Sequence, residues 1–271
     1  MPELPEVETL KRALTPLIVG KTFDRAVFTR PDLRFPIPTE TLERELSGKR
    51  LRGISRKGKY LLLEVDSGAM LWHLGMSGRV TGRDTPAPQE KHTHAVFCFR
   101  PELYLHFVDP RRFGAILWVP KGEGHTLLDS LGPDPLAPST TGQTLYDQAR
   151  HCRGPVKNFL MNARRLAGVG NIYACETLFE AGISPRRGAH RLSLKTWDRL
   201  LACLRKTLEK SIAAGGTTLR DFYSADGTPG YFAIDLAVYG RENAPCPACK
   251  TPVARIVQSG RSTFFCKTCQ K

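Results

Sequence analysis

Apolar residues recur at roughly helical spacing at the start of this 271-residue chain, at Leu4, Val7, Leu10 and Leu14. Proline is common in the first turn of a helix, and acidic side chains suit the positive end of the helix dipole. The opening string Met-Pro-Glu-Leu-Pro-Glu-Val-Glu satisfies both preferences. The pattern therefore predicts an amphipathic helix that begins within the first few residues.

Short β-rich runs replace this helical pattern from about residue 15 to residue 120. The runs that stand out span residues 59–65, 70–74, 95–99 and 103–108. Gly, Pro and Asp separate them, and no helix-length pattern lies between the later runs. We therefore expect these strands to pair antiparallel in a sandwich or barrel.

The carboxyl-terminal half returns to helical periodicity after a stretch rich in Pro, Ser and Thr. Helices are predicted over residues 145–150, 155–163, 172–181 and 193–214. In the last of these, Ser193 is a candidate N-cap and Gly215-Gly216 marks the end.

The change of pattern divides the chain into parts of an α+β multidomain protein. We expect a β-rich domain with an amino-terminal helix over residues 1–130, a linker over 131–148, a helical domain over 149–240 and a cysteine-rich module over 241–271.

The cysteine-rich module has the spacing of a metal site. Cys246-x2-Cys249 and Cys266-x2-Cys269 match a four-thiolate structural zinc site, with a redox pair or an iron–sulfur site as the alternatives. Residues 253–258 and 261–265 flank Ser259-Gly260, which predicts a β-hairpin with Arg261 near its tip.

The charge balance indicates a polyanionic partner. Lys and Arg number 40 against 26 acidic residues, which gives a net charge of +14. Acidic ligands or an anionic membrane surface would also suit this charge, but no apolar run approaches the roughly 18 residues of a membrane span. The acidic amino terminus also lacks the basic and apolar regions of a secretory signal. We expect an intracellular, soluble protein.

Two short segments carry candidate chemistry. If Met1 is removed, Pro2 becomes a secondary amine beside Glu3, which pairs a possible nucleophile with a possible general acid. The loop Ala167-Gly-Val-Gly-Asn171 brings backbone N–H groups to a helix start, where a phosphate can bind, although an ordinary helix connection explains it equally well.

Seven motifs together resemble the bacterial formamidopyrimidine-DNA glycosylase family, in the expected order from residue 2 to residue 271. They are Pro2-Glu-Leu-Pro-Glu6, His73-Leu-Gly-Met-Ser-Gly78, Asp109-Pro-Arg-Arg-Phe-Gly114, Gly168-Val-Gly-Asn-Ile-Tyr173, Gly215-Gly-Thr-Thr-Leu-Arg-Asp-Phe222, Tyr239-Gly-Arg241 and the terminal cysteine module. The resemblance implies an amino-terminal β-sandwich flanked by helices, a helix-two-turn-helix domain and a C-terminal zinc finger, with DNA in the cleft between domains.

The same resemblance implies a function. It implies a cytoplasmic, nucleoid-associated and monomeric bifunctional glycosylase and lyase of base excision repair, which removes 8-oxoguanine and formamidopyrimidines from duplex DNA and also acts at abasic sites. One structural Zn²⁺ and no redox or nucleotide cofactor are expected.

The resemblance also assigns roles to catalytic residues. Pro2 would be the Schiff-base nucleophile and Glu3 the general acid, with Glu6 in support. Lys59 would take part in β-elimination near the lesion phosphate, and Arg261 would bind phosphate and assist δ-elimination.

Further residues are implied to contact DNA. Met76, Arg111 and Phe113 would fill the void left by the extruded base, with Arg111 on the orphaned cytosine. The expected phosphate ligands are His92, Arg153 and Asn171, and a loop with Thr217, Thr218 and Tyr223 would cover the lesion.

Two alternatives remain at this point. An endonuclease VIII-like enzyme for oxidised pyrimidines would have a glycine in place of Leu4 and other void-filling residues. A non-enzymatic zinc-ribbon DNA-binding protein would explain the charge and the cysteines but has no use for Pro2-Glu3. One segment also departs from the family, because Asn162-Ala163 replaces its usual Asp-Gln.

Overall fold

A computed structural model of the protein describes residues 2–87, 90–215 and 236–271. The described residues form two compact units, of which the first is built mainly from residues 2–129 and the second from residues 130–214 and 236–271.

The first unit contains the amino-terminal helix and eight of the strands. Its elements in chain order are α1 (Leu4–Ile18), β1 (Thr22–Phe28), α2 (Thr39–Leu46), β2 (Gly53–Lys57), β3 (Tyr60–Val65), β4 (Gly68–His73), β5 (Arg79–Arg83), β6 (Thr93–Arg100), β7 (Leu103–Val108), β8 (Ala115–Pro120) and the short α3 (Thr126–Asp129).

These strands form two four-stranded antiparallel sheets, ordered β1-β6-β7-β5 and β2-β3-β4-β8. Apolar residues of both sheets share one core, in which the rings of Trp72 on β4 and Phe97 on β6 have centroids 4.9 Å apart. Burying such side chains contributes about 1.5–3 kcal/mol each. The strand pattern left a sandwich or a barrel open, and the two sheets form the sandwich that the family resemblance implies.

Helix α2 was not predicted, since its residues lie in the stretch interpreted as β-rich. Only Leu42 and Leu46 of this helix are buried, and most of its other residues are charged or polar. A pair of apolar positions one turn apart is too short to reveal a helical period. Helix α1 also continues to Ile18, beyond residue 15, with Pro16 inside its last turn.

The second unit is helical and ends in a two-stranded hairpin. Its elements are α4 (Gly142–Ala149), α5 (Val156–Leu160), α6 (Asn171–Glu180), a 3₁₀ turn (Ala189–Arg191), α7 (Leu194–Ala214), β9 (Ala254–Gln258) and β10 (Arg261–Phe265). All four predicted helices are present, although α5 is three residues shorter than expected at its carboxyl end. Ser193 directly precedes α7, and its hydroxyl accepts the N–H of Thr196 at 3.3 Å, as an N-cap does.

The segment interpreted as a linker, residues 131–148, is hydrogen-bonded to helix α7 of this unit. Arg205 on α7 donates hydrogen bonds to the carbonyls of Pro135, Ala137 and Thr140 over 2.7–2.9 Å. Most of α4 also lies within the segment. Its helical part starts at Gly142 rather than at residue 145 because Thr141 caps the helix, accepting the N–H of Thr144 at 3.1 Å.

Across the described parts of the chain, every helix is too short or too polar to cross a bilayer.

Candidate functional site

The start of α1 holds two carboxylates in a fixed arrangement. Glu3 is the N-cap residue, and its N–H donates to the Glu6 carboxylate at 2.8 Å in a capping box. The Glu3 side chain is buried, with 2% exposed, whereas Pro2 directly before it is half-buried. The fold therefore buries an acid in the residue that directly follows Pro2.

Lys59 lies in the two-residue turn between β2 and β3. Gly58 takes the left-handed region at φ +60°, which the first position of a type II′ hairpin turn requires. Arg56 connects this turn to α1, because its guanidinium donates to the Gly58 carbonyl at 3.1 Å and to the Glu8 carboxylate at 2.8 Å. The helix that begins at Glu3 and the turn that carries Lys59 thus share one buried cation.

Glu8 is the anion at the centre of this connection. Burial opposes its ionisation, but hydrogen bonds from Arg56 and Lys11 outweigh that effect and hold the pKa of Glu8 below its usual value. Lys11 and Arg12, one turn further along the helix, also approach its carboxylate at 2.9 and 3.1 Å. Glu8 is therefore ionised at neutral pH and balances several cations near the helix start.

His73 lies close enough to Lys59 to sense its charge. Burial, with the charges of Arg34 and Lys59, lowers the pKa of His73 to about 4. Its Nδ1 accepts the N–H of Gly75 at 3.2 Å, and its ring is 4.8 Å from that of Tyr60. His73 belongs to a motif but had no predicted role, because only the folded chain shows the surrounding cations.

The turn at residues 109–114, called here the Arg111 turn, is built around a buried carboxylate. Asp109 is completely buried and accepts the Ser77 hydroxyl and the Gly114 N–H, each at 2.7 Å. The Ser77 oxygen in turn accepts the N–H of Arg111 at 3.1 Å. A single carboxylate therefore joins the motif around Ser77 to the motif around Arg111.

The Arg111 turn presents an arginine and a phenylalanine side by side. Arg112 between them has φ +57°, an uncommon conformation for a residue with a side chain. The guanidinium carbon of Arg111 lies 5.0 Å from the centre of the Phe113 ring. Phe113 and Met76 are 44% and 40% exposed, so the two apolar side chains predicted to enter the DNA are available on the surface.

Gly75 brings the loop that carries Met76 against this turn. It has φ +60°, and a Cβ placed on it would overlap the backbone of Phe113 and Gly114. No other residue fits between the two loops without moving one of them.

His92 is also attached to the Arg111 turn. Its carbonyl accepts the N–H of Asp109 at 3.0 Å, and its backbone has φ +100°, a strained value for histidine. Of the residues predicted in the first unit, His92, Arg111 and Phe113 thus belong to one structure around Asp109, and Gly75 brings the loop of Met76 against it.

Arg261 in the second unit lies at the tip of the hairpin. Ser259 and Gly260 form the two-residue turn with φ +48° and +73°, which is the type I′ geometry favoured in hairpins. Arg261 is the first residue of β10 and is exposed. The predicted hairpin, with the arginine beside its turn, is therefore present.

Two residues on the helices of the same unit donate hydrogen bonds to strand β10 of this hairpin. Asn171, the first residue of α6, donates its amide to the Ser262 carbonyl at 2.9 Å. Lys157 on α5 is completely buried, and its ammonium donates to the Thr263 hydroxyl at 2.5 Å and to the Ser262 carbonyl at 3.3 Å. Lys157 was not predicted, although a lysine within the apolar run of α5 is a signal that could have been noticed.

The loops on either side of α5 carry a predicted DNA contact, Arg153, and a departure from the family pattern, Asn162. Arg153 is exposed in the loop before α5. Asn162, which departs from the family pattern, accepts the N–H of Arg164 at 3.0 Å and so stabilises its own turn. Thr217, Thr218 and Tyr223 lie outside the described residues.

The four cysteines of the terminal module converge at one point. Their sulfur atoms all lie within 4.8 Å of one another, with 3.9 Å between Cys246 and Cys269 and 3.4 Å between Cys249 and Cys266. Zinc bound tetrahedrally by thiolates at about 2.3 Å requires sulfur–sulfur distances of about 3.8 Å. The four side chains are therefore positioned to bind one metal ion, and the donor set is that of a structural zinc site.

Two features define the class of protein. The β-sandwich exposes the side chains of Phe113 and Met76. The helical unit carries Arg261 on the hairpin of β9 and β10, which together with the four cysteines is called here the zinc hairpin. Exposed apolar side chains beside arginines at tight turns are typical of DNA-binding proteins that deform the duplex, including repair enzymes that extrude a base.

Comparison with protein families identifies the particular kind. The chain matches the formamidopyrimidine-DNA glycosylase N-terminal domain over residues 1–116, the H2TH domain of the same enzymes over 131–223, and the zinc finger found in FPG and IleRS over 244–271. The chain belongs to the formamidopyrimidine-DNA glycosylase family, as its motifs indicated, and it is a base excision repair glycosylase with a zinc finger.

Similar proteins span the full length of the chain. The formamidopyrimidine-DNA glycosylases of Acidithiobacillus ferrooxidans and Marinobacter nauticus are 46% and 44% identical to it over 271 residues, with 100% of each chain covered.

Solved structures agree with this similarity. A structure of MutM (Fpg) from Thermus thermophilus is 41% identical, with a TM-score of 0.84 over 99% of this chain and 98% of that one. The Lactococcus lactis enzyme bound to FAPY-dG-containing DNA is 32% identical, with a TM-score of 0.88 over 99% and 100%.

Proposed function

We propose that this protein is a bifunctional glycosylase and lyase that excises 8-oxoguanine and formamidopyrimidines through a Schiff base at Pro2. The observation that carries the proposal is the start of α1, where buried Glu3 caps the helix directly after Pro2. Removal of Met1 turns the Pro2 nitrogen from an amide into an amine. Similar enzymes bound to FAPY-dG DNA and to abasic-site DNA support formamidopyrimidines as substrates and abasic sites as ligands.

The chemistry follows from the properties of a terminal proline. An α-amino group has a pKa roughly two to three units below that of lysine, so more of it is neutral near pH 7. Its lone pair forms a bond to C1′ of the lesion nucleotide while Glu3 supplies the proton that opens the sugar ring. The proton released by the proline nitrogen passes to the base, whose bond to C1′ breaks, and the nitrogen lone pair then forms a cationic iminium with C1′. The iminium acidifies the C2′ proton, and loss of that proton expels the 3′ phosphate by β-elimination.

Other residues support this step in the proposal. Glu6 supports Glu3 by hydrogen bonding, as it does in the capping box. Lys59 acts at the lesion phosphate in β-elimination, and Arg261 binds phosphate and assists δ-elimination.

Extrusion of the lesion leaves a hole that must be filled. Phe113 and Met76 enter it, and Arg111 pairs with the orphaned cytosine. The phosphate ligands are His92, Arg153 and Asn171. A cytoplasmic, nucleoid-associated location follows from a chromosomal DNA substrate.

Borohydride trapping tests the proposal. Reduction of the iminium should link the processed protein covalently to an 8-oxoguanine duplex, and Pro2→Gly should strongly impair this product. Glu3→Gln should abolish base excision while DNA affinity is largely retained. Normal excision by Glu3→Gln would disprove the assigned mechanism.

A matched duplex separates the alternatives. Trapping on a duplex with an oxidised pyrimidine, at least as efficient as on 8-oxoguanine, would favour an endonuclease VIII-like specificity. Binding of both duplexes without any trapping would favour a non-enzymatic DNA-binding protein.

A further inference from the structure

A short loop between β1 and α2 lies against the Arg111 turn and was assigned no role. It spans residues 29–37 and is closed on itself, because the N–H of Ile37 donates to the Pro31 carbonyl at 2.8 Å. Asp32 and Pro36 also form an antiparallel bridge across it. The loop is therefore a compact structure rather than a loose connection.

Arg34 is attached to the Arg111 turn through its backbone. Its N–H donates to the Gly114 carbonyl at 3.1 Å, one residue after Phe113. Its charge helps to lower the pKa of His73 and opposes the rise that burial causes in the pKa of Tyr60. The rings of His73 and Tyr60 pack against each other, and Tyr60 directly follows Lys59. Arg34 is therefore bonded to the turn that carries the proposed void-filling residues, and its charge acts on the two rings that follow and face the lysine turn.

The Arg34 side chain is exposed and has no acidic partner. Its guanidinium carbon is 5.3 Å from the Phe35 ring centre, which orients the planar group without neutralising it. Across the described residues no carboxylate lies within ion-pair distance of it, and the one acid in the loop, Asp32, is paired with Arg30. The guanidinium thus retains its full charge and its hydrogen-bond donors.

We propose that Arg34 binds a backbone phosphate of the duplex next to the lesion, and so fixes the DNA between the Arg111 turn and the Lys59 turn. A planar guanidinium held by a ring matches the oxygens of a phosphate better than a flexible lysine does. Such a contact positions the duplex without reading its sequence. The inference rests on DNA binding by the family and does not depend on the Schiff-base chemistry.

The salt dependence of DNA affinity tests this assignment. One lost phosphate contact lowers the slope of log Kd against log salt by about 0.9, which corresponds to roughly eightfold weaker binding at 0.1 M salt. We expect Arg34→Ala to show both effects on an abasic-analogue duplex, and Arg34→Lys to keep the slope. Arg44→Ala, an exposed arginine of α2 paired with Glu45, should change neither.

Uncharged phosphate analogues in the DNA identify which phosphate Arg34 contacts. Each phosphate within four nucleotides of the lesion is replaced in turn by a methylphosphonate, on each strand. At one position, the modification should weaken the wild-type protein about as much as Arg34→Ala does, and should not weaken Arg34→Ala further. An unchanged salt slope in a folded Arg34→Ala protein, or full additivity at every phosphate, would overturn the proposal. Trapping yield at saturating protein reports the Pro2 chemistry separately.

Discussion

The Arg111 turn and the zinc hairpin both present an arginine at a tight turn, but they hold it by different means. The Arg111 turn depends on a buried carboxylate, Asp109, that is part of the sandwich. The hairpin has little core of its own, and it depends on four thiolates at one end and on Lys157 and Asn171 behind its tip. Arg111 should therefore keep its position unless the packing around Asp109 is disturbed. Arg261 should lose its position when the metal is removed.

Zinc removal should show the largest difference between the two regions. Structural zinc contributes on the order of 10 kcal/mol to the folding of small modules. We expect Cys266→Ser, or a strong chelator, to unfold residues 246–271 and weaken DNA binding by more than a hundredfold. Hydrogen exchange should show unprotected amides in β9 and β10 but unchanged protection in the sandwich. Loss of protection in β6 and β7 would mean that the regions are not independent.

Asp109→Ala is the corresponding change in the Arg111 turn. It leaves the Gly114 N–H and the Ser77 hydroxyl without their buried acceptor, which costs about 3 kcal/mol. We expect urea unfolding to show this loss, and excision of 8-oxoguanine to fall more than tenfold, with zinc content unchanged. Ser77→Ala should produce a smaller loss of about 1 kcal/mol. Equal losses in the two variants would argue against Asp109 as the organising group.

Acid should affect the sandwich through His73. Because the folded-state pKa of His73 is lowered to about 4, the folded protein binds this proton less readily than the unfolded chain does. The contribution of neutral His73 to the free energy of unfolding is fully present above about pH 6.5, the pKa of histidine in the unfolded chain. It is lost as the pH falls toward 4, by up to about 3 kcal/mol. Urea titrations between pH 4 and 7 should show the loss, and His73→Phe should reduce it. An unchanged profile in His73→Phe would show that other groups cause it.

Lys157→Met should have the smallest effect of the four. Methionine retains the buried volume but loses the bonds to Thr263 and Ser262, a cost of about 1–2 kcal/mol. We expect zinc to remain bound while DNA affinity falls severalfold, because Arg261 is held less rigidly. Asn158→Ala removes only the exposed bond to the Ser259 hydroxyl and is the matched control. An affinity loss in the control as large as in Lys157→Met would remove the distinction.

The sequence predicts what neighbouring residues determine. The hairpin turn at Ser259-Gly260, the cysteine spacing and the cap at Ser193 all arise within a few residues, and the structure contains each of them. Antiparallel strands in a sandwich or barrel could also be predicted, because turn residues mark the ends of the strands in the sequence.

What the sequence could not show depends on contacts between distant segments. The Asp109–Ser77 bond spans 32 positions, and the Lys157–Thr263 bond spans 106. The lowered pKa of His73 requires burial and cations brought from two loops. Motifs located several of these residues, but their physical roles follow only from the fold.

Gly75 has a consequence for how the enzyme can vary. At Gly75 the backbone of the Met76 loop packs directly against the backbone of the Arg111 turn. We therefore expect the two loops to move together. If Phe113 and Met76 enter the duplex as proposed, we expect a displacement of one loop to move the other, so that the two side chains are not adjusted separately to a hole of another shape. A change in lesion preference obtained by mutation should therefore require paired substitutions in both loops, and single substitutions should mostly reduce activity.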